Sequence, residues 1–288
     1  MNSIIEQMLT QHQTATLFDK KNGIKEVVQE IVLCGLSRAG FFKQAAFYGG
    51  TALRIFYGLD RFSEDLDFSL MAPDPGFDLP AYLPILEKEL KAYGLNFAVE
   101  SREKVVDSDI RSAFLKGNTR EHMLIFYADE QLARSVSGNE VIKVKFEVDT
   151  TPPPYATFER KYRLMPLPYE VNLYDMPSLF SGKLHAVICR AWRSRVKGRD
   201  LYDYVFYFSR NTPFNLKHLN ARLVDSNFEG AREDLSLDDI KGILCRRFES
   251  IDFNQAKEDV LPFIRTPEAL DIWSPGFFAA ITEGLTAV

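Results

Sequence analysis

A chain of 288 residues, 46% hydrophobic and 26% charged, has apolar surface for a sizeable core or two and falls outside the disordered class. Its formal charge of -5 excludes a surface that attracts nucleic acid as a whole, so any polyanion site has to be a local basic patch. Cys34, Cys189 and Cys245 are scattered and odd in number, which argues against a disulfide framework or a cysteine-based zinc site and for a reducing cytoplasmic setting.

The polar start MNSIIEQMLTQHQ lacks a signal peptide's apolar stretch, and no run approaches a membrane span, so the expectation is a soluble protein with no membrane partner. Residues 1–15 predict a short amphipathic helix, and Ile24, Val27, Val28, Ile31 and Val32 predict a stronger one over Gly23–Leu36. Phe41 and Phe42 read as core contributions just before the next segment.

Ala45–Leu70, AAFYGGTALRIFYGLDRFSEDLDFSL, reads as strand, Gly-Gly turn, helix, connection and strand. Thr51 is the expected cap of the helix, whose apolar side carries Leu53, Ile55, Phe56 and Leu59. Asp65 and Asp67, at i and i+2, point to one face of the second strand. The N–H groups of Gly49, Gly50 and the helix start form an anion site suited to phosphate. Two carboxylates on one strand face make an all-oxygen site that suits magnesium. An Asp pair alone is usually a solvated one; beside a phosphate cradle it suits nucleotidyl transfer.

Met71–Pro80 is a Pro- and Gly-rich loop, and Leu83, Ile85, Leu86 and Leu90 predict a helix over 81–93 that stops at Gly94. Strands are predicted at 97–100, 110–115 and 123–127, extending the sheet antiparallel. Val141–Asp149, VIKVKFEVD, is the cleanest strand: Val144, Phe146 and Val148 line one face, Lys143, Lys145, Glu147 and Asp149 the other. Placed beside Asp65 and Asp67, it would deliver a third carboxylate, Glu147 or Asp149, with Glu147 favoured. Two strands, 158–165 and 170–174, follow. From 176 onward the pattern is helical: 179–194, a helix containing Asp200 and Asp203, then 216–224, 237–250, 255–264 and 275–285, with Asn215, Ser236 and Asn254 as caps.

The string GGTALRIFYG…RFSEDLDF resembles the AbiEii/AbiGii branch of the polymerase-beta-like nucleotidyltransferases, and Lys183 with Arg199-Asp200 matches the same branch. The resemblance implies an α/β (α+β) fold with a mixed sheet over 1–175, followed by an α-helical domain over 176–288 that closes the active-site cleft. It further implies a two-metal transferase using Mg2+ (or Mn2+) and an NTP. In that picture Asp65, Asp67 and Glu147 hold metal, Gly49, Gly50, Thr51, Ser63 and Arg199 bind nucleotide, Lys183 is catalytic and contacts the triphosphate, and Asp200 is a catalytic carboxylate that positions Lys183 or a metal-bound water. It implies the toxin half of a bacterial toxin–antitoxin pair with a cognate antitoxin, adding NMP to an acceptor such as the 3′ end of tRNA. A protein NMP-transferase and a non-enzymatic nucleotide-sensing or partner-binding protein are the alternatives.

Arg190, Arg193, Arg195, Lys197 and Arg199 put five positive charges into ten residues, a solvated face or a hold on triphosphate or RNA. Tyr48, Tyr57 and Trp192 could stack on a base; His122 and His185 read as ordinary.

Overall fold

The computed structural model describes residues 3–12, 15–102, 109–190 and 196–288. In chain order these form α1 (Ser3–Leu9), α2 (Leu17–Arg38), β1 (Ala45–Tyr48), α3 (Gly49–Tyr57), β2 (Leu66–Leu70), α4 (Leu83–Ala92), β3 (Ala98–Arg102), β4 (Ile110–Asn118), α5 (Thr119–Tyr127), α6 (Glu130–Ser135), β5 (Val141–Asp149), β6 (Phe158–Arg163), β7 (Tyr169–Tyr174), α7 (Met176–Cys189), α8 (Gly198–Ser209), α9 (Leu216–Asp225), α10 (Leu237–Glu249), α11 (Phe253–Val260) and α12 (Pro275–Thr282). Among the described residues no helix is long and apolar enough to cross a membrane.

Two compact units share the chain. The first takes Met1–Thr51, Glu64–Pro152 and Arg160–Leu173; the second takes Ala52–Ser63, Pro153–Glu159 and Tyr174–Val288.

The first unit is built on a seven-stranded mixed sheet in the order β3-β4-β5-β2-β1-β7-β6. β2 runs antiparallel to β1 and parallel to β5, while β4 runs antiparallel to both β3 and β5. Alternation along β2 and β5 sends Leu66, Phe68, Val144, Phe146 and Val148 into the core, all buried. Phe68 stacks on Phe47 at 5.0 Å between ring centroids and lies 4.7 Å from Phe146, with Phe41 edge-on at 5.1 Å. Aromatic pairs of this kind contribute roughly 0.5–1.5 kcal/mol each beyond their buried area, and they lock β1, β2 and β5 in register. α2 packs against α4, α5 and β5 and is buried along most of its length.

The second unit is helical. α7 packs on α8, α9 and α10, α8 on α11, and α10 on α12. Phe180 stacks on Tyr207 at 4.4 Å, and Tyr204 reaches Phe248 and Phe278. The Tyr204 hydroxyl lies 2.6 Å from Thr282 Oγ1, whose own hydroxyl donates to the Phe278 carbonyl, so this buried phenol is satisfied. A Cβ on Gly198 would collide with the Ala256 carbonyl, so α8 and α11 meet with backbone against side-chain-free backbone.

Several expectations are corrected. Residues 123–127 are helix, not strand. Asn118 caps α5 by accepting from the Glu121 N–H, and His122, Met123 and Phe126 are buried while Leu124 is exposed, a helical spacing that the apolar run Met-Leu-Ile-Phe-Tyr hides. α6, capped by Asp129, had no apolar signal long enough to read. The second helix starts at Leu17, earlier than expected, because Thr16 and Asp19 form a capping box. α7 begins at Met176 rather than Leu179, with Asp175 accepting from the Ser178 N–H, and α11 is capped by Asp252 rather than Asn254.

Candidate active site

β1 ends where Gly49 turns the chain at φ 82° into α3, a conformation costly for any residue with a side chain. The antiparallel register sets Tyr48 opposite Asp67, which folds the Asp67 carboxylate back onto the turn: a Cβ on Gly49 would lie 2.6 Å from Asp67 Oδ2. Gly50 follows within the first turn of α3. Thr51 is not the helix cap; it lies inside the first turn, fully buried, and its hydroxyl donates a short hydrogen bond to the Asp65 carbonyl. The glycine turn and the chain just before β2 are thereby tied together. From α2, Lys25 pairs with Glu64 at 2.6 Å and Gln29 Nε2 donates to the Glu64 carbonyl at 2.9 Å, fixing the same entry to β2.

Parallel pairing puts Glu147 beside Asp67, and Asp149 one pleat further along beside Ser69. Of the two candidates, Glu147 therefore shares the level of Asp67. Its carboxylate is held by Lys145 at 2.6 Å and accepts from the Ser112 hydroxyl at 3.1 Å. Asp149 instead accepts from the Thr151 N–H at 3.1 Å at the end of the strand.

The donors Asp65, Asp67 and Glu147 are hard oxygens, and a carboxylate pressed against a side-chain-free turn is chemistry that fits a divalent cation bridging to phosphate. Among the described residues, however, no three His, Cys, Asp or Glu side chains stand together as a ready metal cage. Glu147 would have to exchange Lys145 for a cation to join the two aspartates.

In the helical unit, Lys183 on α7 sits between two carboxylates of α8, 2.7 Å from Asp200 Oδ1 and 2.8 Å from Asp203 Oδ2. Asp200 also takes Arg190 through Oδ2, at 2.5 Å. Asp203 is gripped from the other side by Arg61, whose Nε and Nη2 reach its two oxygens at 2.6 and 2.7 Å. Burial by itself would raise the Asp203 carboxyl, but Arg61 and Lys183 outweigh it and hold it below its usual value. Burial likewise works to lower Arg61, and Asp203 overrides it upward.

The structure brings Lys183 and Asp200, both singled out in the sequence, together with Asp203 and with Arg61, which the sequence did not single out. A signal existed: Asp200 and Asp203 are three apart and share one helix face with room for a single lysine. Nothing local marks Arg61, whose partner lies 142 residues away.

Arg199 is placed elsewhere. Its guanidinium lies 4.2 Å from the Phe263 ring and 4.0 Å from buried Asp259, so it does not join the Lys183 network. Ser63 is half-buried at the end of the connection that carries Arg61. Tyr57 is committed to structure, its hydroxyl bonded to Glu159 at 2.6 Å and to the Tyr174 carbonyl at 3.0 Å. His122 is buried against the Asn118 carbonyl, and His185 lies 3.0 Å from the Ser226 hydroxyl. Trp192, Arg193 and Arg195 fall outside the described residues.

A mixed sheet with a glycine turn at the end of β1 and the Asp67 carboxylate on β2, followed by a helical C-terminal region, defines an α/β protein of the nucleotidyltransferase class. More narrowly, the chain belongs to the AbiEii family, nucleotidyl transferase toxins of type IV toxin–antitoxin systems, whose model matches residues 31–282. That family implies an antitoxin partner. Two crystal structures from Helicobacter pylori are similar to the chain. One, of a candidate nucleotidyltransferase, is 18% identical with a TM-score of 0.45, covering 90% of this chain and 93% of that one. The other, JHP933, is 18% identical with a TM-score of 0.44, covering 91% of each. A comparison with curated proteins finds no match.

Proposed function

We propose that this chain transfers NMP from an NTP to an acceptor, with magnesium or manganese as cofactor, and that the acceptor is the 3′ end of an RNA such as tRNA. The observation that supports this most is the Asp67 carboxylate lying against the Gly49 turn, with Glu147 in register beside it. Family membership supplies the reaction class.

In this reading the N–H groups at the Gly49-Gly50-Thr51 start of α3 bind a phosphate of the NTP. Asp65, Asp67 and Glu147 would hold the cation, which when bound supplies charge neutralisation for the phosphates and a lowered pKa for the attacking hydroxyl. The closeness of the Asp67 carboxylate to the glycine turn supports a role for it, through the cation, in orienting a phosphate bound at that turn. Lys183, a compact positive charge, stabilises the negative charge that builds on phosphate oxygens. Asp200 holds that lysine; bonded to both Lys183 and Arg190, its oxygens serve positioning better than metal binding.

The test is incubation with each labelled NTP and magnesium, with RNA and protein fractions offered separately. Label is expected in RNA, lost on chelation of the metal and reduced at least on the order of 100-fold in Asp67→Asn, as for removal of a key electrostatic group. Label in protein alone would move the acceptor to a hydroxyl side chain. No incorporation from any NTP, with growth inhibition persisting in Asp65→Ala, would overturn the transferase reading.

A further inference from the structure

Arg61 has no role in the reaction as set out above, yet its side chain is only 4% exposed and its carboxylate partner is fully buried. Burying such a pair is expensive, and an apolar substitute of similar volume is often no less stable, so stability alone explains its presence poorly. The geometry points to Arg61 as a positioning residue that acts through Asp203 to hold the Lys183 ammonium in one place. The inference rests on the reading of Lys183 as a phosphate-contacting group.

The argument follows the chain of contacts. A lysine side chain is a flexible four-carbon stem and does not fix its own ammonium. Asp203 Oδ2 binds Nζ at 2.8 Å, but a lone carboxylate can rotate about its own bond. Arg61 removes that freedom by taking both oxygens in a planar two-point grip, 2.6 and 2.7 Å long. The guanidinium is anchored in turn, because Nη1 donates to the Phe62 carbonyl at 2.9 Å and the Phe62 N–H donates to the Phe263 carbonyl at 2.8 Å. Constraint therefore runs from backbone, through Arg61 and Asp203, to Nζ.

On the far side Asp200 and Arg190 complete the network. Three positive groups, Arg61, Lys183 and Arg190, meet two negative ones, Asp200 and Asp203, leaving a net charge of +1. Exposure of the positive groups rises from 4% at Arg61 through 14% at Lys183 to 50% at Arg190, so the uncompensated charge is open to solvent at the lysine and beyond. Arg61 is the buried end of this gradient and has no route to a ligand except through its neighbours.

The experiment is a double-mutant cycle on the 288-residue chain, with NTP turnover and thermal midpoint both measured for Arg61→Lys, Lys183→Met and the pair. Arg61→Lys keeps the buried charge and loses the two-point grip; it is expected to lower kcat on the order of 100-fold, as for a reacting group displaced by about 1 Å, with a smaller change in KM. In the Lys183→Met background the same substitution is expected to change turnover no further, while lowering the thermal midpoint as much as it does alone. Asp203→Glu, which keeps both charges and shifts the carboxylate by one methylene, is expected to match Arg61→Lys and is read in parallel in case one variant does not fold.

An equal fall in turnover in both backgrounds would overturn the inference while leaving the Lys183 reading in place; full turnover in Lys183→Met would overturn that reading and the inference with it. A readout independent of activity is the acetylation rate of Lys183 by a limiting amount of acetic anhydride, followed by peptide mass spectrometry. The rate is expected to rise severalfold in Arg61→Lys, and an unchanged rate would also overturn the inference.

Discussion

At Gly49 two separate restraints exclude a side chain. The φ of 82° costs an ordinary L-residue about 1–2 kcal/mol, and a Cβ would push against Asp67 Oδ2. Gly49→Ala is therefore expected to lose at least that much stability in urea unfolding and, by displacing Asp67, to weaken magnesium-dependent NTP binding as well; an alanine variant with undiminished affinity would separate the turn from the site. His218 offers a second test. It is fully buried, with Nδ1 2.7 Å from the Pro154 carbonyl, and burial pushes its pKa down to about 4. The unfolded chain takes up this proton near pH 6.5, so the native form binds fewer protons between about 6.5 and about 4. Stability is then full above the upper value and falls as pH drops, by about 3 kcal/mol from this one group. His185, pushed down mainly by burial to about 3, works in the same direction. Urea midpoints from pH 7.5 to 4.5 should show the slope, and His218→Gln should flatten it.

At the scale of elements, the strands that line the Asp67 carboxylate were legible because one of their faces is core and the other is not. β5 was read to its last residue, since Val144, Phe146 and Val148 alternate with charged neighbours over its whole length. The same reasoning failed at residues 123–127, where an apolar run carries no alternation and the deciding feature is the Asn118 cap several residues earlier. Pairing was only half legible: that β5 lies beside β2 was expected, but the register that sets Glu147 rather than Asp149 beside Asp67 is fixed by the Phe47, Phe68 and Phe146 packing. The consequence is measurable as a difference between neighbours. Glu147→Gln is expected to reduce transfer by tenfold or more and Asp149→Asn far less; the opposite order would put the third carboxylate at Asp149. Between α8 and α11 the backbones meet at Gly198, and Gly198→Ala should cost about 1–3 kcal/mol by overpacking against Ala256, or more if the helices cannot part. Equal urea midpoints for the variant and the parent chain would mean that the two helices shift apart freely.

Across the whole molecule, the chain passes from one unit to the other after Thr51, Ser63, Pro152, Glu159 and Leu173, so neither unit is one continuous stretch of sequence. A fragment spanning residues 174–288 keeps Lys183, Asp200 and Asp203 but lacks Arg61, leaving a fully buried carboxylate with one of its two partners gone. Removing one member of a buried pair costs about 3–5 kcal/mol, so the fragment is expected to unfold at a much lower urea concentration than the whole chain. An equal midpoint would show that the helical unit does not depend on the segment from Ala52 to Ser63. The same pairing carries a meaning in time. Arg61 and Asp203 are 142 residues apart, and a ribosome adding about 5–20 residues per second makes the arginine roughly 7–30 s before the aspartate. For nearly all of that interval the growing polypeptide carries the glycine turn, Asp65 and Asp67, but not Asp203, the carboxylate that Arg61 grips. On the role proposed for Lys183, synthesis order would itself work as a safety catch: a message cut short between codons 183 and 203 yields a product whose lysine lacks Asp203 and, with it, the grip of Arg61.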